Sequence, residues 1–419
     1  MPALIVLIAT MAAQAAQSTS ATPPSSATTP EPTNARKIGQ TTYLDLEGGA
    51  GYSTNPELSF GSDTGAANGY ASLHAVHSRV TERTTTLLSA FGQLTGYTNH
   101  LGSTESLSVS GRHDAAVNEK LRLFIDGNAS YDKNGLLDTR IVTVPNVPAL
   151  PGAPDIPPQI LPSGSDFLAA TGKHYYFAAN GGGQLALSAR GNLDFNSGVQ
   201  RSVFRSAAAD TSYWTIPTSI GYDRQVSTRA DVGGRVAFIY TNYDGPTRIW
   251  TVTPQLTANL HLSEQLTLNG AIGASFSSVD DGFDKRHSTG LAANASLCHA
   301  GEHSHLCARA SIDQQTATVA GPAKTISAGI DYSRQLSAES SIQLSVDGSH
   351  FSEPVSVVTG QSFSNSNYYR AAASYTHGFG HRLFGGINLA ARKLTEKGPD
   401  PKADLNASVF IRYRFGDVQ

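Results

Sequence analysis

The last seventeen residues, 403–419, alternate between apolar and polar side chains. Leu, Ala, Val, Ile, Tyr and Phe occupy every second position from Leu405 to Phe415, and Arg412 and Arg414 lie between the last of them. Successive side chains of a β-strand point to opposite faces, so this period of two predicts a strand with one apolar and one polar face. A soluble protein would turn the apolar face to a core, whereas a membrane barrel would turn it to lipid and the arginines to a water-filled lumen.

The same alternation recurs from Thr41 to the end of the chain, and no helical period competes with it. Strand starts are predicted near residues 41, 69, 84, 105, 119, 175, 190, 211, 228, 247, 265, 287, 304, 323, 340, 367, 381 and 403. This gives eighteen strands, an even number that brings both chain ends to one rim. Sixteen strands remain an alternative if two weak segments merge, because single-strand signals in barrels are poor.

The connectors between these strands alternate in length. Short polar connectors lie at 80–84, 116–120, 189–192, 224–228, 262–265, 334–340 and 378–381. Longer ones lie at 53–68, 132–172, 279–286, 352–366 and 394–402. Short periplasmic turns at one rim and longer extracellular loops at the other are typical of outer-membrane barrels.

Composition favours the membrane alternative. Only 15% of the 419 residues are charged, against about a quarter in a soluble domain. The polar faces carry Ser, Asn, Gly and Thr rather than the Lys and Glu expected on a soluble sandwich. No run of 18 apolar residues occurs, which excludes a helical membrane protein, and the net charge of -3 gives no electrostatic case for nucleic acid as a partner. We therefore predict an all-β fold, a closed antiparallel transmembrane β-barrel over 41–419, in contact with the lipid of a bacterial outer membrane.

Aromatic residues gather near the predicted strand ends, as expected for belts at the two membrane interfaces. The belt residues are Tyr43, Tyr52, Tyr213, Trp214, Tyr222, Tyr240, Tyr243, Trp250 and Tyr413.

The N-terminal segment differs from the rest of the chain. Residues 1–17 contain an apolar run from Ala3 to Ala9 followed by small residues, which predicts a signal peptide; a buried strand is the alternative. Residues 18–40 are rich in Ser, Thr and Pro without periodicity, so we expect a disordered periplasmic tether.

Two segments carry a family resemblance: "TYLDLEGGAGYSTNPEL" at 42–58 and "YDRQVSTRADVGGRV" at 222–236. They resemble the β-barrel porins encoded with exopolysaccharide export systems, over about residues 41–415. Phe415 also resembles the C-terminal aromatic signature of outer-membrane proteins, although four residues follow it here. The resemblance implies a channel tied to polysaccharide secretion, with an exopolysaccharide export complex as a partner. Independently of the resemblance, we expect no cofactor.

Cys298 and Cys307 flank the segment "HAGEHSHL", and the alternation points both inward. A hairpin centred on Glu302 and His303 sets them opposite each other, so a disulfide is predicted in an oxidising compartment. The alternative is a metal site in which the thiols act with His299, His303 and His305. Their spacing is irregular for such a site, so we expect no metal.

Catalysis is not expected. No G-x-S-x-G nucleophile elbow occurs, and His74 and His77, three residues apart on one strand, point to opposite faces. We assign no catalytic residues.

The alternation assigns eleven charged side chains to the lumen. They are Arg122, Asp126, Asp194, Arg235, Arg309, Asp313, Asp331, Asp347, Arg370, Arg412 and Arg414. Two interpretations stay open: charges of mixed sign that order polyhydroxyl or anionic solutes, or ion pairs that stiffen the interior.

Eighteen strands exceed the number at which side chains fill a barrel, so an open lumen is expected. The sequence therefore predicts a passive channel for small sugars or a secreted polysaccharide. A general or nutrient-uptake porin is one alternative, and a structural barrel that holds an export complex without conducting is another. The longest connector, 132–172, has seven prolines in "VPNVPALPGAPDIPPQILP" at 144–162, and we expect it to fold into the lumen rather than form a disordered surface loop.

Overall fold

A computed structural model describes residues 39–56, 65–98, 102–133, 172–205, 210–317, 321–352, 365–396 and 403–417. Almost all of these residues lie in antiparallel β-strands. The strands are β1 (Gly39–Ser53), β2 (Ala66–Val80), β3 (Thr84–Tyr97), β4 (Ser103–Ala116), β5 (Leu121–Lys133), β6 (Lys173–Ser188), β7 (Gly191–Arg205), β8 (Asp210–Ser227), β9 (Ala230–Tyr243), β10 (Arg248–His261), β11 (Leu266–Asp280), β12 (Lys285–Ala300), β13 (Ser304–Ala317), β14 (Gly321–Ser337), β15 (Ser340–Ser352), β16 (Ser366–Gly378), β17 (Leu383–Glu396) and β18 (Asp404–Gly416). Every predicted start lies within three residues of the observed one.

The strands form one closed sheet. Each strand pairs with the next in sequence, and β1 pairs with both β2 and β18, so that Gly39 lies opposite Val80 and Tyr43 opposite Gly416. Closure leaves none of the described strands with an unpaired edge, as a barrel in lipid requires. The prediction of a closed barrel of eighteen strands is confirmed, and the alternative of sixteen is wrong.

The two rims differ in their connectors. β1 begins and β18 ends at the rim where two-residue turns such as 189–190 and 228–229 join the strands; we call it the short-turn rim. The opposite edge, with connectors as long as 134–172, is the long-loop rim. β1 begins at Gly39, two residues inside the range predicted to be a tether. The remaining N-terminal residues, 1–38, lie outside the described residues, so the signal peptide and the tether stay predictions.

The two faces of the wall have opposite chemistry. On β18, Leu405, Val409 and Ile411 are 56–65% exposed, whereas Asp404 and Arg412 on the other face are almost fully buried. Side chains on the inside of a cylinder converge and shield one another, while those outside splay apart. The apolar face is therefore the outer one, and its exposure along every strand is compatible with lipid rather than water. Within the described ranges, no helix is long and apolar enough to cross a membrane.

The aromatic belts are smaller than the sequence predicted. Tyr52, Trp214 and Trp250 are exposed on the outer face near the long-loop rim, and Tyr222 and Tyr413 are exposed nearer the short-turn rim. Three of the predicted belt residues instead face inward: Tyr43, Tyr213 and Tyr243. A position near a strand end does not decide the face of a side chain; odd or even spacing along the strand does.

Candidate functional site: the inner face of the barrel

Residues that lie directly opposite each other on paired strands point to the same face, so the register assigns each side chain to the inside or outside. The register places all eleven charged residues predicted to line the lumen on the inner face. It also shows how they are ordered. Six of them fall into two continuous rows of directly opposed residues.

The first charged row crosses β5 to β10. It consists of Arg122, Gln184, Asp194, Gly221, Arg235 and Gln255. Paired strands are about 4.8 Å apart, so Arg122 and Asp194 lie roughly 10 Å apart along the wall, as do Asp194 and Arg235. Arg235 donates a hydrogen bond to the Gln255 amide oxygen at 2.8 Å. On β5, Asp126 accepts one from Asn180 at 2.9 Å.

The second charged row crosses β13 to β18. It consists of Arg309, Gly329, Asp347, Arg370, Arg392 and Asp404. Gly329 leaves room for the Asp347 carboxylate, because a Cβ at this position would lie 2.7 Å from Asp347 Oδ1 and would make that side chain move. Arg309 forms an ion pair with Asp331 on the neighbouring strand. Strands β5–β10 and β13–β18 occupy nearly opposite sides of the ring, so the two rows line opposite walls of the barrel.

Between the charged rows, the inner face is lined by hydroxyl and amide side chains. Many of them form cross-strand pairs, such as Ser89 with Ser110 at 2.7 Å and Thr251 with Ser277 at 2.8 Å. Paired hydroxyls satisfy one another, and the partly exposed Ser89–Ser110 pair still offers lone pairs to the lumen. The wall is therefore polar with charges of both signs.

The seam, where β1 meets β18, holds the most buried ion pair among the described residues. Arg392 Nε donates to Asp404 Oδ2 at 2.9 Å, and the two side chains are 2% and 0% exposed. The other carboxylate oxygen accepts from Ser53 Oγ at 2.6 Å and from the Asn55 backbone N–H at 2.9 Å. Arg392 also donates to the Pro56 carbonyl. We call these five residues the seam cluster; they tie β17 and β18 to the end of β1.

Further ion pairs join the same two strands nearer the short-turn rim. Arg414 forms a two-pronged hydrogen bond with the Asp45 carboxylate at 2.7 and 2.8 Å. Arg412 Nε lies 3.3 Å from Glu47 Oε2, as an ion pair rather than an aligned hydrogen bond. The Tyr70 hydroxyl donates to the same carboxylate at 2.8 Å. For Arg412 and Arg414, the structure thus favours the stiffening interpretation.

Sequence reasoning missed four members of these clusters: Asp45, Glu47, Arg392 and Asp404. The signal that would have found them is the alternation that selected Arg412 and Arg414. Each lies an even number of residues from another inner-face position of its strand.

Packing of a neighbouring side chain explains one of the glycines in the glycine-rich strand β1. A Cβ at Gly49 would collide with the Tyr70 ring and with the Val409 carbonyl oxygen. Gly49 therefore provides the space in which Tyr70 lies flat against the inner wall and reaches Glu47.

Replacing Gly49 with alanine is expected to displace the Tyr70 ring and destabilise the β1–β2 and β1–β18 pairings. The backbone oxygen cannot move without disturbing the ladder. We expect a lower unfolding temperature for the heat-modifiable band on semi-native gels. Gly96→Ala is the matched control, because a Cβ there would meet no atom within 4 Å. Equal stability of the two variants would contradict this account.

The two cysteines form a disulfide in the structure. Cys298 and Cys307 are directly opposed on β12 and β13, on the inner face next to the short-turn rim, with their Cα atoms 4.1 Å apart. Of the three nearby histidines, only His305 shares this face; His299 points outward and His303 lies in the turn. While the sulfurs are bonded to each other, neither can act as a thiolate ligand. His74 and His77 lie on opposite faces of β2.

A closed, even-stranded antiparallel barrel with an apolar outer face and a polar inner face is the architecture of bacterial outer-membrane β-barrels, and we place the chain in that class and that membrane. No protein-family model matches the chain, and no curated protein matches it in sequence.

Solved structures with a similar fold include several outer-membrane proteins. The siderophore receptor PirA from Acinetobacter baumannii is 7% identical with a TM-score of 0.43, covering 90% of this chain and 81% of the receptor. OccK2 (OpdF) from Pseudomonas aeruginosa is 10% identical with a TM-score of 0.44, covering 91% of this chain and 98% of OccK2. The FrpB iron transporter from Neisseria meningitidis is 9% identical with a TM-score of 0.47; 86% of this chain is covered, but only 64% of FrpB. These likenesses concern the fold alone.

Proposed function

We propose that the protein is a passive, water-filled channel for polyhydroxyl solutes such as sugars, connected with exopolysaccharide secretion. The observation that carries the proposal is the closed ring of eighteen strands. Eighteen strands about 4.8 Å apart and tilted by about 40° enclose a cylinder roughly 35 Å across between backbones, wider than side chains on the described strands can fill.

The lining supports a neutral, hydroxyl-rich solute. Partly exposed hydroxyl pairs such as Ser89 with Ser110 offer donors and acceptors to a solute in the lumen. Each charged row contains both signs, so neither wall excludes anions or cations as a whole. A lining of this kind orders polar solutes without selecting strongly for ions.

The connection with exopolysaccharide export rests on the resemblance of residues 42–58 and 222–236. The described parts of these segments contribute inner-face charges, Asp45 and Glu47 from the first and Asp223 and Arg235 from the second. Genes for polysaccharide synthesis or export beside the gene for this protein would support the connection, and neighbouring genes for nutrient catabolism would favour an uptake porin.

The channel itself is tested with purified, folded protein in planar bilayers. We expect stepwise conductance increments and, in liposome swelling, entry of monosaccharides and small oligosaccharides. A folded protein that neither conducts nor admits sugars would overturn the channel proposal and favour the structural barrel.

The connector 134–171 lies outside the described residues, so its folding into the lumen stays a prediction. Deleting 145–162 is expected to raise single-channel conductance and admit larger sugars, because the proline-rich segment would no longer narrow the path. Unchanged conductance in a correctly assembled deletion variant would place this segment outside the pore. A deletion variant that keeps its heat-modifiable mobility on gels is required for the comparison.

A further inference from the structure

The hairpin of β12 and β13 brings three soft metal-binding groups together on the inner face. The sulfurs of Cys298 and Cys307 and a ring nitrogen of His305 all lie within 4.8 Å of one another. His305 Nε2 is 3.7 Å from Cys307 Sγ, so the ring nitrogen already points at the sulfur pair.

The spacing matches a tetrahedral metal site. With metal–sulfur bonds of about 2.3 Å and metal–nitrogen bonds of about 2.0 Å, neighbouring ligand atoms of a tetrahedral zinc ion lie roughly 3.5 to 3.8 Å apart. The observed separation between His305 Nε2 and Cys307 Sγ falls in this range. The two cysteines are directly opposed on paired strands, so their sulfurs can separate to this distance by side-chain rotation alone.

The surroundings fit a bound cation. Asp331 lies directly opposite Cys307 on the inner face of β14 and adds a negative charge beside the sulfurs, although it is shared with Arg309. His299 lies on the outer face, and the His303 ring is two-thirds exposed in the turn beside Glu302. Neither of these two histidines shares a face with the cysteines.

We propose that reduction of the Cys298–Cys307 disulfide turns this hairpin into a binding site for one thiophilic d¹⁰ cation, with Zn²⁺ as the reference ion. A dithiol reductant supplies two electrons and two protons to the sulfur–sulfur bond and becomes a cyclic disulfide itself. Binding of Zn²⁺ then displaces the two thiol protons, so that the ligands are two thiolates and the neutral His305 ring. The fourth position is open to lumen water. The disulfide and the bound metal exclude each other. The oxidation state of the two cysteines therefore decides whether the two strands are joined by a sulfur–sulfur bond or by a metal ion.

The test uses the full chain, purified from membranes in detergent, with Co²⁺ as a spectroscopic substitute for Zn²⁺. Before reduction, mass spectrometry should show a chain lighter by two hydrogens than the dithiol form, and Co²⁺ should give no thiolate charge-transfer band. After reduction and removal of the reductant, one equivalent of Co²⁺ should produce this near-ultraviolet band, and Zn²⁺ should abolish it. The double variant Cys298→Ser with Cys307→Ser should give no band in either state.

His305 is tested against a matched histidine of the same hairpin. We expect His305→Ala to weaken Co²⁺ binding at least tenfold and His299→Ala to leave it unchanged. Semi-native gels verify that each variant is folded, and His305→Gln replaces the alanine variant if that one fails to assemble. Equal effects of the two histidine variants, no metal uptake by the reduced folded protein, or an equal band with the disulfide intact would each overturn the proposal.

Discussion

Replacing Asp404 with alanine is expected to destabilise the barrel more than any other single change at the seam. Arg392 would lose its ion-pair contact with Asp404 at an almost fully buried position, while Ser53 Oγ and the Asn55 N–H would lose this carboxylate as acceptor. Removal of one partner from a buried ion pair typically costs about 3 to 5 kcal/mol, because the remaining charge cannot reach water. The expected result is a large fall in the free energy of unfolding, measured by guanidinium titration of protein folded into phospholipid vesicles.

Two further variants distinguish the effect of burial from the effect of charge on the free energy of unfolding. Glu105→Ala breaks the ion pair of Glu105 with Lys133, in which both side chains are more than one-third exposed, and should cost less than about 1 kcal/mol. Arg392→Met combined with Asp404→Leu removes both buried charges and should recover most of the stability lost in Asp404→Ala. If Glu105→Ala and Asp404→Ala proved equally destabilising, the seam cluster would have no special role in closing the barrel.

Replacing Val409 with arginine is expected to impair insertion into the membrane. Val409 is 57% exposed on the outer face and lies near the middle of β18. An arginine facing lipid near the bilayer midplane costs about 2 to 4 kcal/mol. The same vesicle titration, followed by the fluorescence of Trp214 and Trp250, should show this loss.

The matched inner-face variant is Arg122→Ser. Arg122 is exposed in the first charged row, so its removal should alter ion selectivity in planar bilayers while leaving assembly intact. Arg412 is a poorer control, because it is buried against Glu47 and stacks 5.4 Å over the Phe410 ring. Equal assembly defects in Val409→Arg and Arg122→Ser would show that the inner and outer faces have been assigned wrongly.

The strand order and the facing of individual side chains could be predicted because both depend on local geometry. A side chain and its neighbour two residues away share a face, so Arg122 and Asp126 follow from the alternation alone. In a closed barrel each strand pairs with the next one, so the topology requires no long-range information. Aromatic residues are harder to place. Proximity to a strand end predicts the membrane interface for Tyr43 and Tyr243, whereas their spacing along the strand indicates the inner face.

The partner of each charge was decided by the tertiary structure. Asp45 and Arg414 are 369 residues apart and meet only because the sheet closes β1 onto β18 in one register. A shift of two residues in that pairing would keep every side chain on its face but give every charge a different partner. The sequence by itself therefore determined the strands, their number and the inward position of the charges, because these follow from a period of two. Only closure of the sheet decided which charges are neutralised in the buried seam and which remain exposed on the inner wall, because the register of pairing is a property of the whole ring.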